Sequence, residues 1–286
     1  MRIVISADIE GTSGLIRDRE IGYPKHASGD VEANPDYLQA RKWLTEDINA
    51  AVAGAREAGA TSFVVHDSHG TNYRNIVMDE LDPEVEYVGG RPIIFYDYDD
   101  LQTGQYDAAF LVGMHARGGQ KGLISHVLSW PLLREVRING QPVGESQVTI
   151  ALAGYYGIPT VLITGDDVIC NEVKGWAKGQ IETAVVKQSI SRYAGHVLPL
   201  EKARQVIHEA AFQAVRRLKD TPPGRFEAPT QLEVELTDRE IARTISWMPQ
   251  VEYDGNCTVG YSDTDFLKVY KALCAMFWIA TSAINP

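Results

Sequence analysis

The N-terminal stretch Ile3-Val4-Ile5-Ser6-Ala7-Asp8-Ile9-Glu10-Gly11 constrains the fold of this chain more than any other. Its first residues form a short apolar run rich in β-branched side chains, which predicts a buried strand. Asp8 and Glu10 follow with a spacing of two, which places both carboxylates on one face of the strand. Burying two adjacent carboxylates is unfavourable without a cation, so the stretch favours a metal site. The alternative is that the strand frays after Ala7 and both acids are solvated.

The segments that follow predict that this strand opens an α/β fold. Residues 35–58 carry apolar side chains at helical spacing and precede Gly59, a common type of C-terminal cap. Residues 62–66 then form a second apolar run, so strand, helix and strand follow one another within about 65 residues, as in a βαβ unit. Such a unit pairs its strands in parallel through a right-handed crossover. We therefore expect an α/β fold with a mainly parallel sheet flanked by helices and a smaller α/β segment at the C-terminus.

Weaker patterns extend the prediction along the chain. Further strands are expected at residues 85–88, 107–113, 123–128, 135–138, 160–164, 183–187 and 232–236. Helices are expected at residues 76–81, 144–155, 200–218, 238–247 and 264–284, and between the strands at 160–164 and 183–187. The turn-rich residues 12–34 form a long loop of the kind that is often functional. We assign residues 1–196 to a metal-binding catalytic α/β domain and residues 197–286 to a C-terminal α/β segment with substrate-site and oligomer contacts.

The overall charge limits the classes of partner. The chain has 286 residues with 27 basic and 38 acidic side chains, a formal net charge of −11. Such a charge argues against nucleic acid or an anionic membrane as the main partner. The three widely spaced cysteines form no CxxC pattern, which indicates a reducing compartment rather than a disulfide framework. The N-terminus enters a strand directly and shows no signal peptide, so we expect a cytoplasmic protein.

Three of the predicted strands end in side chains that bind metals. Asp8 and Glu10 follow the first strand, His69 the second and His115 the strand at 107–113, while Glu145 opens the helix at 144–155. Ligands bind at the carboxyl ends of strands in open parallel sheets, so these side chains should converge on one edge. Each has a structural alternative: a loop hydrogen bond, an interior histidine, or a carboxylate favoured by a helix N-terminus. The joint occurrence of five such residues favours a site.

The donor set fits a pair of divalent cations. Three carboxylates and a bridging hydroxide balance the charge of two such ions, and a short Asp can bridge metals about 3.5–4 Å apart. Mixed imidazole and carboxylate ligands suit zinc best, with manganese or cobalt as alternatives. His126 follows closely after His115 and has three open roles, as a further ligand, a general acid–base or an oxyanion donor.

These motifs together carry a family resemblance. They are, in order, Asp8-Ile9-Glu10-Gly11, Asp67-Ser68-His69, Gly113-Met114-His115-Ala116, Ser125-His126, Pro142-Val143-Gly144-Glu145 and Gly165-Asp166-Asp167. Each motif is short, but their order and spacing, from the first residues to about Tyr193, are specific. The chain resembles the D-aminopeptidase (DppA-type) family of metallopeptidases over this range and more faintly to its C-terminus.

The resemblance implies a di-zinc aminopeptidase, with two Zn²⁺ per subunit, that assembles into a ring-shaped homo-oligomer, a decamer in the family. Carried over to this sequence, Asp8 matches the ligand that bridges the two zinc ions. The further ligands of the two ions match two pairs, Glu10 with His115 and His69 with Glu145. His126 matches the residue assigned as catalytic in the family.

We therefore expect a metallo-aminopeptidase that uses a di-zinc-activated water to hydrolyse the N-terminal amide bond of short peptides. The family resemblance favours peptides that contain D-amino acids as substrates. The sequence itself does not determine which handedness the pocket accepts. The alternatives are a di-metal amidase for other amides, an L-aminopeptidase, and a catalytically silent metal-binding ring scaffold. A phosphoesterase is disfavoured because no strand-end Lys or Arg cluster and no phosphate-binding glycine loop is evident.

Five further polar residues have two interpretations each. Asp67 either orients the nearby histidine or caps the following turn. Asp166 and Asp167 either bind a substrate amine or cap a helix. Lys187 and Arg192 either bind a substrate carboxylate or form ion pairs between subunits. The final predicted helix is apolar on more than one face, so it is either a core helix or shared between subunits.

Overall fold

The computed structural model describes residues 1–22, 34–70, 74–90, 98–177 and 180–283. Within these ranges the strands are β1 (Arg2–Ala7), β2 (Ser62–Asp67), β3 (Val85–Val88), β4 (Ala108–Met114), β5 (Leu133–Ile138), β6 (Gln141–Val143), β7 (Thr160–Asp166), β8 (Glu182–Ser191), β9 (Ala194–Val197), β10 (Thr230–Leu236), β11 (Glu252–Tyr253) and β12 (Thr258–Asp263). The helices are α1 (Pro35–Glu57), α2 (Tyr98–Thr103), α3 (Glu145–Tyr155), α4 (Asp167–Trp176), α5 (Leu200–Arg216), α6 (Arg239–Ile245) and α7 (Phe266–Ala283).

The larger sheet has seven strands in the order β3-β2-β1-β4-β7-β8-β9. Neighbouring strands are parallel except for β8 and β9, which are antiparallel. The β1–α1–β2 unit confirms the predicted parallel βαβ arrangement, with Ile3 opposite Phe63. Because β2 and β4 lie on opposite sides of β1, the chain connections diverge at its carboxyl end. Ligands of α/β proteins bind in the crevice at such a switch point.

Separate hydrophobic clusters cover the two faces of this sheet. Ile3 and Ile5 of β1 lie in the cluster that α1 and α5 close, whereas Val4 lies in the cluster on the other face. Burial of both faces explains why β1 reads as a continuous apolar run rather than an alternating one. α1 begins after Asn34, whose side chain accepts a hydrogen bond from Asp36 N at 3.0 Å and so caps the helix.

The smaller sheet is antiparallel, with five strands in the order β11-β12-β10-β5-β6. β5 and β6 are joined by the predicted turn at Asn139-Gly140, where both residues have positive φ. The expected fold class, a mainly parallel sheet with helices and a smaller α/β segment, is confirmed. The boundary after residue 196 stays a prediction: β5 and β6 pair with the C-terminal strands, and α5 packs against α1 on the larger sheet.

α7 is long and apolar enough, by length and composition alone, to cross a membrane. Val269, Leu273 and Met276 are nevertheless buried in the cluster that the smaller sheet and α6 help to form. A core position accounts for this apolar face. Phe277 and Trp278 are only partly buried, so the sharing of α7 between subunits stays a prediction.

Two predicted elements differ in the structure. Residues 76–81 form turns rather than a helix, because Pro83 restricts the backbone of the residue before it. Residues 123–128 form an irregular segment rather than a strand, since Ile124 and Leu128 both have a φ of 51°. Of the predicted loop at 12–34, residues 12–22 include a short 3-10 turn at Asp18–Ile21, and residues 23–33 lie outside the described residues. The sequence patterns missed α2, β9, β11 and β12.

Candidate metal centre

The carboxyl ends of β1 and β4 approach each other closely. Gly11 N donates to Gly113 O at 2.7 Å. A Cβ atom on Gly113 would lie 2.0 Å from the Asp8 backbone oxygen, and one on Gly11 would lie 1.9 Å from Met114 O. Gly113 also has a φ of +75°, which side chains disfavour. Glycine is therefore required at both positions, and the contact brings the residues after β1 next to His115.

The five predicted metal ligands converge at this edge of the sheet and are all buried: Asp8, Glu10, His69, His115 and Glu145. His69 Nδ1 lies 3.1 Å from Asp8 Oδ1 and 3.0 Å from Glu10 Oε2. His115 Nε2 lies 3.4 Å from Asp8 Oδ2 and 3.2 Å from Glu145 Oε1. Each oxygen of Asp8 thus faces a different histidine, which is the arrangement that a bridging ligand requires.

Each of these two imidazoles turns one nitrogen to the carboxylates and the other to a backbone carbonyl. His69 Nε2 donates to Ile21 O at 2.9 Å, and His115 Nδ1 donates to Ala116 O at 3.0 Å. Because a carbonyl can only accept, the outer nitrogen of each ring carries a proton. Metal-binding histidines usually have such an outer partner, which fixes the ring and leaves the inner nitrogen to coordinate.

Among the residues that the structure describes, donor atoms that lie within 4.8 Å of one another form three groups: Asp8, Glu10 and His69; Asp8, His115 and Glu145; and Glu10, His115 and His126. The family resemblance pairs Glu10 with His115, as the third group does, whereas the first group pairs Glu10 with His69 and the second pairs His115 with Glu145. The division of the ligands between two ions therefore stays a prediction. In both divisions Asp8 is the ligand that the two ions share.

The charges of the cluster fit divalent cations. Burial and the adjacent Glu10 carboxylate raise the pKa of Asp8 to about 8. Burial opposes a charge on His115, but Glu145, Glu10 and Asp8 outweigh it and raise the pKa of that imidazole to about 10. The protonated ring thus carries positive charge that a metal would otherwise supply. Within the described part of the chain, Glu10 Oε2 is buried without a hydrogen bond and lies 3.0 Å from His69 Nδ1 as an ion pair, so a metal placed between them would satisfy this oxygen.

His126, the predicted catalytic residue, lies directly beside the cluster. Its ring stacks on His115, with centroids 4.1 Å apart and an angle of 9° between the planes. Its Nδ1 donates to Ile124 O at 2.8 Å, and its Nε2 lies 3.8 Å from Glu10 Oε1. Burial and the charge of His115 lower the pKa of His126 to about 4. His126 is therefore a neutral imidazole whose basic nitrogen faces the site.

Lys187 holds the loop that follows β1. The side chain is buried, and its Nζ donates to three backbone oxygens, those of Glu10, Thr12 and Leu15, at 2.6, 2.8 and 2.8 Å. Burial lowers the pKa of Lys187 to about 8, so the ammonium form still dominates at neutral pH and supplies three donors. Lys187 therefore holds the backbone of a candidate metal ligand rather than a substrate carboxylate.

Asp47 of α1 holds the same loop from its other side and was missed in the sequence. Its carboxylate accepts hydrogen bonds from Ser13 N at 2.8 Å and from Ser13 Oγ at 2.6 Å. Burial raises the pKa of Asp47 to about 6. The signal was present, because Asp47 lies between Leu44 and Ile48 on the apolar face of the predicted helix, where a carboxylate needs a buried partner.

Asp67 supports the turn after β2 rather than the His69 ring. Its Oδ1 accepts a hydrogen bond from Asn75 Nδ2 at 2.7 Å, and its Oδ2 accepts one from Asn75 N at 2.5 Å. Its hydrogen bond to His69 comes from the backbone N–H, at 3.4 Å. Asn75 also donates to His69 O at 2.9 Å, so both residues fix the backbone from which the histidine projects.

Asp166 and Asp167 act within the fold. Asp166 Oδ1 accepts hydrogen bonds from two amides in the first turn of α4, at 3.0 and 2.9 Å, and Oδ2 accepts one from Leu123 N at 2.6 Å. Asp167 Oδ1 accepts one from Ser189 N at 2.7 Å. Asp166 therefore caps the helix, as one interpretation predicted, and also anchors the irregular segment that carries His126.

Comparison with known proteins places the chain in a family. The model of the D-aminopeptidase family matches residues 1–275. The chain belongs to the D-aminopeptidase family. One relative in this family, the D-aminopeptidase of Bacillus subtilis (strain 168), is 32% identical over 285 residues, which cover 98% of each chain.

A solved structure resembles this D-aminopeptidase family member over its whole length. It is the Zn-dependent D-aminopeptidase DppA from Bacillus subtilis, which is described as a self-compartmentalizing protease. The TM-score is 0.87 at 28% sequence identity, and the match covers 98% of each chain. The predicted family resemblance is confirmed, and with it the enzyme class, a metallo-aminopeptidase.

Proposed function

We propose that this chain uses two zinc ions to hydrolyse the N-terminal amide bond of short peptides, and that it prefers peptides that begin with a D-amino acid. The observation that carries the proposal is the position of Asp8, whose two oxygens face His69 and His115 on opposite sides. A carboxylate between two imidazoles, with a further carboxylate beside each, is a donor set for a pair of borderline metal ions.

Asp8, Glu10, His69, His115 and Glu145 would hold the two ions. When bound, zinc ions lower the pKa of water toward neutrality and polarise the carbonyl of the scissile amide. The outer hydrogen bonds of His69 and His115 keep the inner nitrogens directed at the ions. The loop that Lys187 and Asp47 hold keeps the Glu10 carboxylate in place in the same way.

His126 would move the proton of the reaction. Its Nδ1 proton is committed to Ile124 O, so Nε2 is the atom that can accept a proton at the site and return it to the leaving amine. Its stacking on His115 fixes the plane of the ring beside the ligands. An oxyanion-donor role would require a second proton, on Nε2, because Nδ1 already donates to Ile124 O.

The preference for zinc and for D-residues is supported by the relatives. The 32% identical relative from Bacillus subtilis is a D-aminopeptidase, and the matching structure is of a Zn-dependent D-aminopeptidase. That structure is also of a self-compartmentalizing protease, which supports a closed homo-oligomer for this chain. The family resemblance gives a ring-shaped decamer as the specific form that we propose. Such an assembly would admit small, flexible peptides and exclude folded proteins. Light scattering should then give a mass several times the 31.6 kDa of one chain, and a monomer would refute the assembly.

The test of the proposed function is a panel of matched D- and L-alanyl dipeptides and alaninamides with zinc-reconstituted protein. We expect cleavage at the N-terminal amide bond, with a higher kcat/KM for the D-series. Faster cleavage of the L-series would refute the stereochemical preference and leave the aminopeptidase assignment intact. Cleavage of amides alone would favour the amidase, and no turnover of any substrate after zinc reconstitution would refute the proposed reaction.

A further inference from the structure

Two segments that carry candidate metal ligands approach each other at Gly144 and Arg117. Gly144 directly precedes Glu145, the first residue of α3, and Arg117 lies two positions after His115. A Cβ atom on Gly144 would lie 2.9 Å from the Cβ atom of Arg117, so the two backbones leave no room for a side chain between them. Glu145 Oε1 lies 3.2 Å from His115 Nε2. The position of one ligand relative to the other therefore depends on how the two segments are held together.

Gln147, in the first turn of α3, joins the Glu145 segment to a neighbouring helix. Its side chain is buried, and its Oε1 accepts a hydrogen bond from Gly144 N at 2.9 Å. Its Nε2 donates to Glu172 Oε1 of α4 at 2.7 Å. Because the Gly144 N–H can only donate, the amide oxygen must face Gly144 and the amide nitrogen must face Glu172. The orientation of the Gln147 side chain is thus fixed by its partners.

Glu172 connects this side chain to the His115 segment. Its second oxygen, Oε2, accepts a hydrogen bond from Arg117 N at 3.3 Å. Three hydrogen bonds therefore run from the backbone before Glu145, through Gln147 and Glu172, to the backbone after His115. We call this chain of hydrogen bonds the Gln147–Glu172 brace. It joins two segments that are far apart in the sequence and that each carry a candidate ligand.

The brace extends beyond an ordinary helix cap. A glutamine at the third helical position that accepts from the N-cap amide is a common stabilising motif, and by itself it would act only on α3. Here Gln147 Nε2 and Glu172 continue the contact to the backbone that follows His115. Outer partners of metal ligands hold those ligands in position, and their loss weakens metal binding. The Gln147–Glu172 brace would do this for the backbones of two ligands together.

We propose that Gln147 and Glu172 are positioning residues that hold Glu145 against His115 and thereby set the affinity of the centre for the zinc ion that Glu145 holds. The proposal rests on the two-zinc site of the proposed function and deepens it. Both residues act through the backbone of the ligands, so their contribution is measured as metal affinity and does not require turnover.

The test exchanges the two side chains, first singly and then together. Gln147→Glu alone sets two carboxylates at hydrogen-bond distance from each other, where like charges repel. Glu172→Gln alone leaves one amide oxygen to accept from two donors, Gln147 Nε2 and Arg117 N, so one hydrogen bond is lost. Each single variant should lower the affinity for the zinc ion that Glu145 holds by about 10- to 100-fold.

The double variant Gln147→Glu/Glu172→Gln should restore the brace with its middle hydrogen bond reversed. The carboxylate at position 147 accepts from Gly144 N and from the amide nitrogen at position 172, and the amide oxygen at position 172 accepts from Arg117 N. Net charge and side-chain volume are unchanged, and glutamate suits the third helical position as well as glutamine does. Its zinc affinities should return to within about threefold of the parent values, since the two changes are coupled.

Competition with a chromophoric chelator measures both zinc affinities of the full chain, and urea unfolding of metal-free samples measures stability separately. Thr221→Val is the control for stability alone. Thr221 is buried, and its Oγ1 donates to Gln180 O at 2.7 Å. Both residues line a cavity with Thr160, which begins β7 at the edge of the sheet opposite the metal centre. This variant should lower the urea midpoint and leave both zinc affinities at the parent values.

Two results would overturn the assignment. Single variants that lower the urea midpoint but leave both zinc affinities unchanged, as Thr221→Val should, would make the brace a support of the fold alone. A double variant that binds zinc no better than the weaker single variant would show that this pattern of hydrogen bonds does not set the affinity. A parent chain that binds no zinc is a different outcome, which would refute the two-zinc site of the proposed function and this proposal with it.

Discussion

Replacing Lys187 with methionine tests how the candidate metal centre is supported. Methionine keeps the apolar stem and about the same volume but removes the ammonium, so the carbonyls of Glu10, Thr12 and Leu15 lose their donor. Each buried oxygen left unpaired costs about 1–3 kcal/mol. Relief of the buried charge offsets part of this cost, since burial already lowers the pKa of Lys187 to about 8. We expect a net loss of about 3 kcal/mol in the free energy of unfolding.

The effect on zinc should be local to one of the two ions. Lys187 holds the backbone oxygen of Glu10 itself, so Lys187→Met should weaken binding at the ion that Glu10 coordinates by about 10- to 100-fold, as loss of an outer partner does in other metal sites. Competition with a chromophoric chelator measures the affinities of both ions, and urea unfolding of the same samples measures stability.

Lys268→Met is the matched control, because Lys268 is mostly exposed and pairs with Asp263 at the surface. It should leave both zinc affinities and the urea midpoint at the parent values, because a single exposed ion pair contributes little to stability. If Lys187→Met lowers the unfolding free energy but leaves both zinc affinities at the parent values, Lys187 supports the core alone and the reasoning about the loop is wrong.

Three further predictions concern the site and its frame. His126→Ala should retain both zinc ions and lower kcat/KM by about 10²–10⁴-fold, and loss of an ion would make His126 a ligand. The pKa of His115 is raised to about 10, that of Asp8 to about 8 and that of His69 well above its usual value, so all three ligands are protonated at pH 7. Zinc binding at pH 7 should therefore release about three protons, and apparent affinity should fall as pH falls. Calorimetry in buffers of different ionisation enthalpy counts these protons, and a count of zero would contradict the charges assigned to the cluster. Gly113→Ala should lower the free energy of unfolding far more than the roughly 1–2 kcal/mol expected for Gly119→Ala. Both glycines have positive φ, but a Cβ atom on Gly113 would lie 2.0 Å from a backbone oxygen, whereas one on Gly119 would have nothing within 4 Å. Urea unfolding compares the two variants, and similar losses would contradict the close approach of β1 and β4.

The sequence predicted the elements whose patterns are local and repeated. β1, α1 and β2 each bury an uninterrupted face, so their periodicity and caps indicate both type and position. The convergence of the candidate ligands followed from one topological rule, that side chains after parallel strands meet at one edge. That rule needed only the strand ends, and the structure brings Asp8, His69 and His115 within hydrogen-bond distance of one another or of a shared carboxylate.

The supporting contacts could not be predicted, because they join residues far apart in the chain. The partners of Lys187 lie more than 170 positions away, and no local pattern distinguishes a lysine that binds carbonyls from one that faces solvent. The segment at 123–128 looked like a strand by composition, but the positive φ of Ile124 and Leu128 comes from its tertiary hydrogen bonds. Tertiary context overrode a short β pattern there.

The shared position of Asp8 is the central claim, and the zinc content of three proteins tests it most directly. Elemental analysis after reconstitution and removal of free metal should give about two ions per chain for the parent. Glu145→Ala removes a ligand of one ion and should retain about one, whereas Asp8→Ala removes a ligand of both and should retain close to none. A parent chain that binds no zinc, or an Asp8→Ala variant that still holds one ion as tightly as Glu145→Ala does, would contradict the account.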